Sequence, residues 1–132
     1  MARHPSSGLT PLELDIMKVL WREGPASVQT VQEGLGPRRK LAYNTVQTML
    51  NILWRKGKVR RKQHDRAYHY APLLTRVRAI REAVGDLVHR LFEGSPEDLV
   101  MSLIETRQLT PERIERLAAL FEERKGGSRE EP

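Results

Sequence analysis

The sequence predicts a mainly α protein with one small β-hairpin, built as a winged helix-turn-helix head followed by a three-helix dimerisation tail. Three observations carry that expectation. Three amphipathic helical stretches lie between Leu9 and Lys56. The hydrophobic period changes from helical to strand-like directly after Gly57. A heptad-spaced apolar seam then begins at Val77, beyond the hairpin.

The first stretch opens at Thr10-Pro11-Leu12-Glu13. Thr10 is an N-cap, Pro11 suits the first turn and Glu13 completes a capping box. Leu9 and Leu14 are spaced for a hydrophobic staple, and Ile16, Met17, Leu20 and Trp21 continue the apolar face until Gly24-Pro25 stops it. Ser27 caps a short second helix carrying Val28, Val31 and Leu35, which Gly34 and Gly36-Pro37 end. The loop Arg38-Arg39-Lys40 leads to a third helix from Tyr43 to Lys56, with Gly57 as its stop. Val46, Met49, Leu50, Leu53 and Trp54 keep the spacing of one buried stripe.

Residues 59–63 and 67–71 read as two strands around the polar turn His64-Asp65-Arg66, and Pro72 ends the second. Tyr68 and Tyr70 share a face and are expected in the core with Trp21 and Trp54. Past the hairpin, Val77, Ile80, Val84, Leu87 and Leu91 step by three and four. Ser95-Pro96 caps a helix with Leu99 and Leu103, and Thr110-Pro111 caps a last one with Ile114, Leu117 and Phe121. The expected domains are a disordered tip over 1–8, a head over 9–73, a helical dimerisation domain over 74–125 and a disordered tail over 126–132. So short a tail cannot bury all its apolar side chains alone, which predicts a homodimer that shares them in one core.

Composition narrows the chemistry. The 132 residues contain no cysteine, which removes disulfides, thiolate metal sites and thiol catalysis. No apolar run approaches the roughly 18 residues of a membrane span and no signal-peptide core follows Met1, so a cytoplasmic protein is expected. The four histidines share no metal-ligand spacing, and there is no nucleophile elbow or glycine-rich phosphate loop. Neither an enzyme nor a bound cofactor or metal is expected. The net charge is +6 and unevenly placed: residues 1–72 hold 13 Lys/Arg against 5 Asp/Glu, whereas residues 73–132 hold 10 against 12. A basic excess confined to the head points to a polyanionic partner.

The third helix has the composition of a DNA-reading element. From Tyr43 to Ile52 it carries no charge, and opposite its apolar stripe it shows Asn44, Thr45, Gln47, Thr48 and Asn51. Asn and Gln can bond adenine bidentately, and a threonine methyl can pack on a thymine methyl. Base reading is therefore assigned to Asn44, Thr45, Gln47 and Thr48. Phosphate contacts are assigned to Arg38, Arg39, Lys40 and Tyr43 before or at the helix start, Arg55 and Lys56 at its end, and Arg60, Arg61, Lys62 and Arg66 on the hairpin. Strand alternation sets Arg60 and Lys62 opposite Arg61, and Arg66 is the wing tip. The rival reading is a winged helix that docks protein instead of DNA, which would not need a basic hairpin beside a charge-free helix face.

These residues resemble the penicillinase-repressor family. Leu9-Thr10-Pro11-Leu12-Glu13-Leu14-Asp15-Ile16-Met17 with Leu20-Trp21 is similar to its opening helix. Leu41-Ala42-Tyr43-Asn44-Thr45-Val46-Gln47-Thr48-Met49-Leu50-Asn51 is similar to its recognition helix, and Lys56-Gly57 and Arg66-Ala67-Tyr68-His69-Tyr70 to its turn and wing. The resemblance implies a cytoplasmic bacterial repressor that binds double-stranded inverted-repeat operators, often with TACA and TGTA half-sites, as a dimer. It marks Asn44, Thr45 and Thr48 as base readers. Copper-responsive members use a C-terminal cysteine hook, which a chain without cysteine lacks. Other members are cut by a membrane-bound sensor protease at an Asn-Phe pair. The corresponding helix here holds Ser102 and Leu103, the candidate cleavage site.

Overall fold

The structure, a computed structural model, describes residues 8–129. All of the expected tip except Gly8, and residues 130–132 of the expected tail, lie outside the described residues. The elements run α1 (Pro11–Glu23), β1 (Ala26–Ser27), α2 (Val28–Gly34), a 3₁₀ turn (Pro37–Arg39), α3 (Tyr43–Arg55), β2 (Val59–His64), β3 (Ala67–Pro72), α4 (Arg76–Leu91), α5 (Pro96–Glu105) and α6 (Pro111–Arg129). They divide into two compact units, Met1–Asp86 and Leu87–Pro132.

In the first unit α1 starts as its sequence dictates. The Thr10 hydroxyl accepts from Glu13 N at 3.1 Å and the Glu13 carboxylate accepts from Thr10 N at 2.8 Å, so two orphan amides are satisfied reciprocally. Ile16, Met17 and Leu20 of α1, Val31 of α2, and Val46, Leu50 and Leu53 of α3 are fully buried together, with Val59 of β2 and Tyr70 of β3 closing the core. Gly34 does more than stop α2: a Cβ there would lie 2.6 Å from Val19 Cγ1, so its bare backbone permits the close approach of α2 to α1. Leu74 and Ala79 also pack into this core, and Leu74 O accepts from Trp21 Nε1 at 2.8 Å. The head therefore reaches into α4, past the expected boundary at residue 73.

The expected hairpin is one part of a three-stranded antiparallel sheet of order β1-β3-β2. The additional strand, β1, sets Ala26 opposite Tyr70 and Ser27 opposite His69. Ser27 then caps α2 by accepting from Thr30 N, so one residue ends a strand and starts a helix. Two residues are too short to show a period of two, which is why the sequence pattern concealed the strand.

The second unit contains the end of α4, α5 and α6. Ser95 caps α5 by accepting from Asp98 N at 3.1 Å. Along α4 the five seam residues Val77, Ile80, Val84, Leu87 and Leu91 are all exposed. Leu99 and Leu103 of α5 are half-buried, whereas Ile114, Leu117 and Phe121 of α6 are exposed. α6 continues to Arg129, beyond the Gly126 at which the tail was expected to begin. Among the described residues no helix is long and apolar enough to cross a membrane.

Candidate nucleic-acid interface

α3 divides its side chains cleanly. Val46, Leu50 and Leu53 have no exposed surface, while Asn44, Thr45, Gln47 and Thr48 are exposed. The buried stripe fixes the rotation of the helix, and rotation decides which polar side chains face outward. The N-cap is Ala42, which offers no side-chain oxygen to the first amides. Those amides and the positive end of the helix dipole are suited to an anionic oxygen. Tyr43, at the same end, is 47% exposed. Gln32 Nε2 donates to Leu41 O at 2.9 Å and ties α2 to the chain entering α3.

The cations around this face fall into two groups. Arg38, Lys40, Arg55, Arg60, Lys62 and Arg66 are exposed and, among the described residues, engage in no ion pair. They can meet phosphates without first leaving a protein partner. The other three, all expected on phosphate, hold the head together. Arg39 donates through Nε and Nη2 to Asp15 Oδ2 at 3.0 and 2.7 Å, tying the 3₁₀ turn to α1. Lys56 Nζ donates to both Glu13 oxygens, at 3.0 and 2.9 Å, and joins the end of α3 to the start of α1. Arg61 stacks over Trp54 and Tyr68 and donates to Asn51 Oδ1 at 3.0 Å.

Glu13 is the buried charged side chain of this arrangement, at 2% exposure. Burial pushes its carboxyl up, but the Lys56 ammonium and the hydrogen bonds from Thr10 outweigh that and hold it below the ordinary carboxylate range.

Two further expectations are corrected by the same geometry. Trp54 and Tyr68, expected in the core, are 40% and 41% exposed because they flank Arg61. Asn51, read as part of the outward polar face, turns inward: its Oδ1 also accepts from Tyr70 OH at 3.0 Å. The expected opposition of Arg60 and Lys62 to Arg61 holds. The Arg61 side chain stacks on Trp54 of α3, while Arg60 and Lys62 lie with Pro25, Arg61, His64, His69 and Ala71 along an open groove. At the wing tip Asp65 and Arg66 form the two-residue turn, with φ of 51° and 69°.

A comparison with protein families finds a match over residues 9–123 to the family described as penicillinase repressor. The chain belongs to the penicillinase repressor family. A penicillinase repressor of Bacillus licheniformis is 27% identical over 122 residues, 92% of this chain and 95% of the relative. The transcriptional regulator BlaI of Mycobacterium tuberculosis is 46% identical over 66 residues, 49% of this chain and 48% of that one. A solved structure of hsRosR has a TM-score of 0.51 at 18% identity, covering 92% of this chain and 96% of that chain, a likeness of fold alone. In this member of the family the roles that sequence reasoning missed are those of the struts: Asp15, Asn51, and Glu13 as the partner of Lys56. A signal existed for Asn51, because strand parity sets Arg61 and Tyr70 on the face that looks at α3.

Proposed function

We propose that this chain is a transcriptional repressor that binds an inverted-repeat operator in double-stranded DNA as a homodimer, with α3 in the major groove and the β2–β3 wing on the flanking backbone. The observation that carries the reading is the exposed, uncharged face of Asn44, Thr45, Gln47 and Thr48, set among six cations that hold no ion pair among the described residues. Asn44 and Gln47 supply donor and acceptor together for an adenine edge, and Thr45 and Thr48 supply a hydroxyl and a methyl. Phosphate contacts are assigned to Arg38, Lys40 and Tyr43 at the start of α3, to Arg55 at its end, and to Arg60, Lys62 and Arg66 along the wing. These contacts set affinity and register; the α3 face sets sequence preference. The family's repressors and regulators support the same assignment.

Dimerisation is supported by the exposed seam on α4 and by the exposed Ile114, Leu117 and Phe121 on α6. Two heads held by paired tails suit half-sites about 34–36 Å apart, one helical turn of DNA. Work on an operator places the protein in the cytoplasm. Release by a sensor protease rests on the family resemblance. Ser102 and Leu103 are half-buried within α5, so that helix must unwind before a protease takes the peptide between them.

Selection from random duplex DNA by the full chain tests the reading. The expected result is enrichment of one inverted repeat, with binding that weakens steeply as salt rises. Recovery of DNA without a shared sequence would overturn it.

A further inference from the structure

The β2–β3 wing is held by a third strand only at the middle of its ladder. β1 pairs with His69 and Tyr70, and beyond them Gln63–Tyr68 and His64–Ala67 pair, among the described residues, with no strand beside them on that edge. A two-stranded ribbon is marginal by itself, so whatever fixes the wing against α3 must come from side chains. Val59 and Tyr70 supply such contacts in the core, and Arg61 supplies one nearer the tip than Val59. Its guanidinium carbon lies 3.6 Å from the centroid of the Trp54 ring and 4.3 Å from that of Tyr68. Its Nη1 donates to Asn51 Oδ1, which also accepts from the Tyr70 hydroxyl, both at 3.0 Å. One side chain of β2 thus engages two residues of α3 and stacks on one of β3.

The chemistry of the contact is particular to arginine. A planar guanidinium can stack on two rings and donate in its own plane at once; a lysine ammonium keeps the charge but not the plane. Trp54 and Tyr68 are exposed enough that burial of apolar surface does not explain them. Their rings clamp the cation. A cation so engaged is a poor candidate for phosphate, unlike Arg66 at the tip.

We propose that Arg61 is a positioning residue that sets the angle of the wing to α3, and that sequence discrimination depends on it more than overall affinity does. The inference rests on the reading of α3 as the base-reading element. Base contacts form only when phosphate contacts have set the register. With the wing fixed, Arg66 and the Asn44–Thr48 face engage DNA as one rigid surface. With the wing loose, the tip cation still finds a phosphate on any duplex but no longer imposes the register that the bases need.

The test uses the full chain, its selected operator and a random duplex of equal length, with affinities measured across a salt series. Arg61→Gln is expected to lower operator affinity tenfold or more, to change random-duplex affinity less than threefold, and to leave the salt slope within a few tenths of its original value. Arg61→Lys is expected to fail to restore discrimination. Trp54→Leu, which keeps the charge and removes the platform, is expected to reproduce the same loss. A slope shallower by about 1 in Arg61→Gln, with rescue by Arg61→Lys, would make Arg61 a phosphate contact and overturn the proposal. Proportional loss on both DNAs would mark a merely weakened fold and overturn it as well, and so would full discrimination in Trp54→Leu. An unaltered chain that shows no operator preference defeats the reading of α3 itself, a separate outcome visible before any variant is made.

Discussion

The two units differ in how far they bury their apolar side chains. Among the described residues, every buried apolar side chain lies at or before Ala79, in the unit that carries the sheet. In the other unit none is buried; Leu91 is 68% exposed and Phe121 64%. The head is a finished core, with three helices closed by a sheet and cross-linked by Arg39–Asp15 and Lys56–Glu13. The tail is an unfinished one. Most of a helix's stability in a protein comes from packing its apolar face, and a stripe of uncovered Val, Leu and Phe gains that only by apolar contact. On the proposed reading, a second copy supplies that contact. The proposed function divides along the same line: the head carries shape and charge for DNA, and the tail is assigned the connection between heads.

Cutting between the units should give the largest effect. A fragment ending at Asp86 retains Leu74 and Ala79 and should melt cooperatively as a monomer, whereas one ending at Pro72 loses both core residues and the Trp21 hydrogen bond to Leu74. The full chain should sediment as a dimer at micromolar concentration. Loss of the second, effectively intramolecular head should weaken operator binding by about 10²–10⁴-fold. Equal affinity of the 86-residue fragment and the full chain would mean that the tail does not link heads.

Within the head, the α3 face should matter next. Asn44→Ala or Thr48→Ala is expected to cost about 1–3 kcal/mol at the operator and little on random duplex. Fluorescence anisotropy on both duplexes measures this. Equal losses on the two would take base reading away from these residues.

Glu13 tests the finished core from inside. Glu13→Gln keeps the shape but unpairs Lys56, and should destabilise the head by about 1–2 kcal/mol. That is less than the roughly 3–5 kcal/mol of a fully buried pair, because Lys56 reaches water. The folded carboxyl titrates below its ordinary value, so the unfolded chain binds that proton more readily. The pair's contribution is therefore complete above the unfolded value of about 4.3 and is lost as pH falls through the lower folded value. Thermal melts of both forms from pH 7 to pH 3 should show the gap between them closing at the acid end. A gap that stays constant would assign the stabilisation to shape instead of charge.

Much of the head was legible from spacing. The Thr10–Glu13 capping box, the α3 stripe and the switch to strands after Gly57 are local patterns, and local patterns survive folding. The long-range ties were not. Lys56 meets Glu13 across 43 positions and Arg39 meets Asp15 across 24, and a charge run does not reveal which of its members will turn inward. Arg61 was hidden by its neighbours: between Arg60 and Lys62 it reads as one more cation until the register sets it opposite Tyr70. Trp54 and Tyr68 were misplaced for the complementary reason, since aromatic residues on an apolar period read as core. In the tail the period was legible along α4, but a seam shows that a face needs covering without showing the cover.

The smallest effect lies at the wing tip, where stability and binding should move in opposite directions. Asp65 and Arg66 both have left-handed backbone, with φ of 51° and 69°, as a two-residue hairpin turn of type I′ requires. Such turns favour glycine at the second position, because a Cβ there crowds the backbone. This chain holds an arginine in that conformation, and strained residues persist where the surrounding structure over-determines them and function uses them. Arg66→Gly should relieve the strain and, after the entropy that glycine adds to the unfolded chain, raise head stability by about 0.5–1 kcal/mol. The same change removes the cation placed farthest along the wing. Binding to operator and random duplex should weaken together, and the salt slope should become shallower by about 1. Differential scanning calorimetry and a salt series read the two effects separately, and sedimentation should show the dimer unchanged because the substitution touches only the head. A more stable protein with unaltered DNA binding would show that the strain at Arg66 serves the turn and not the phosphate.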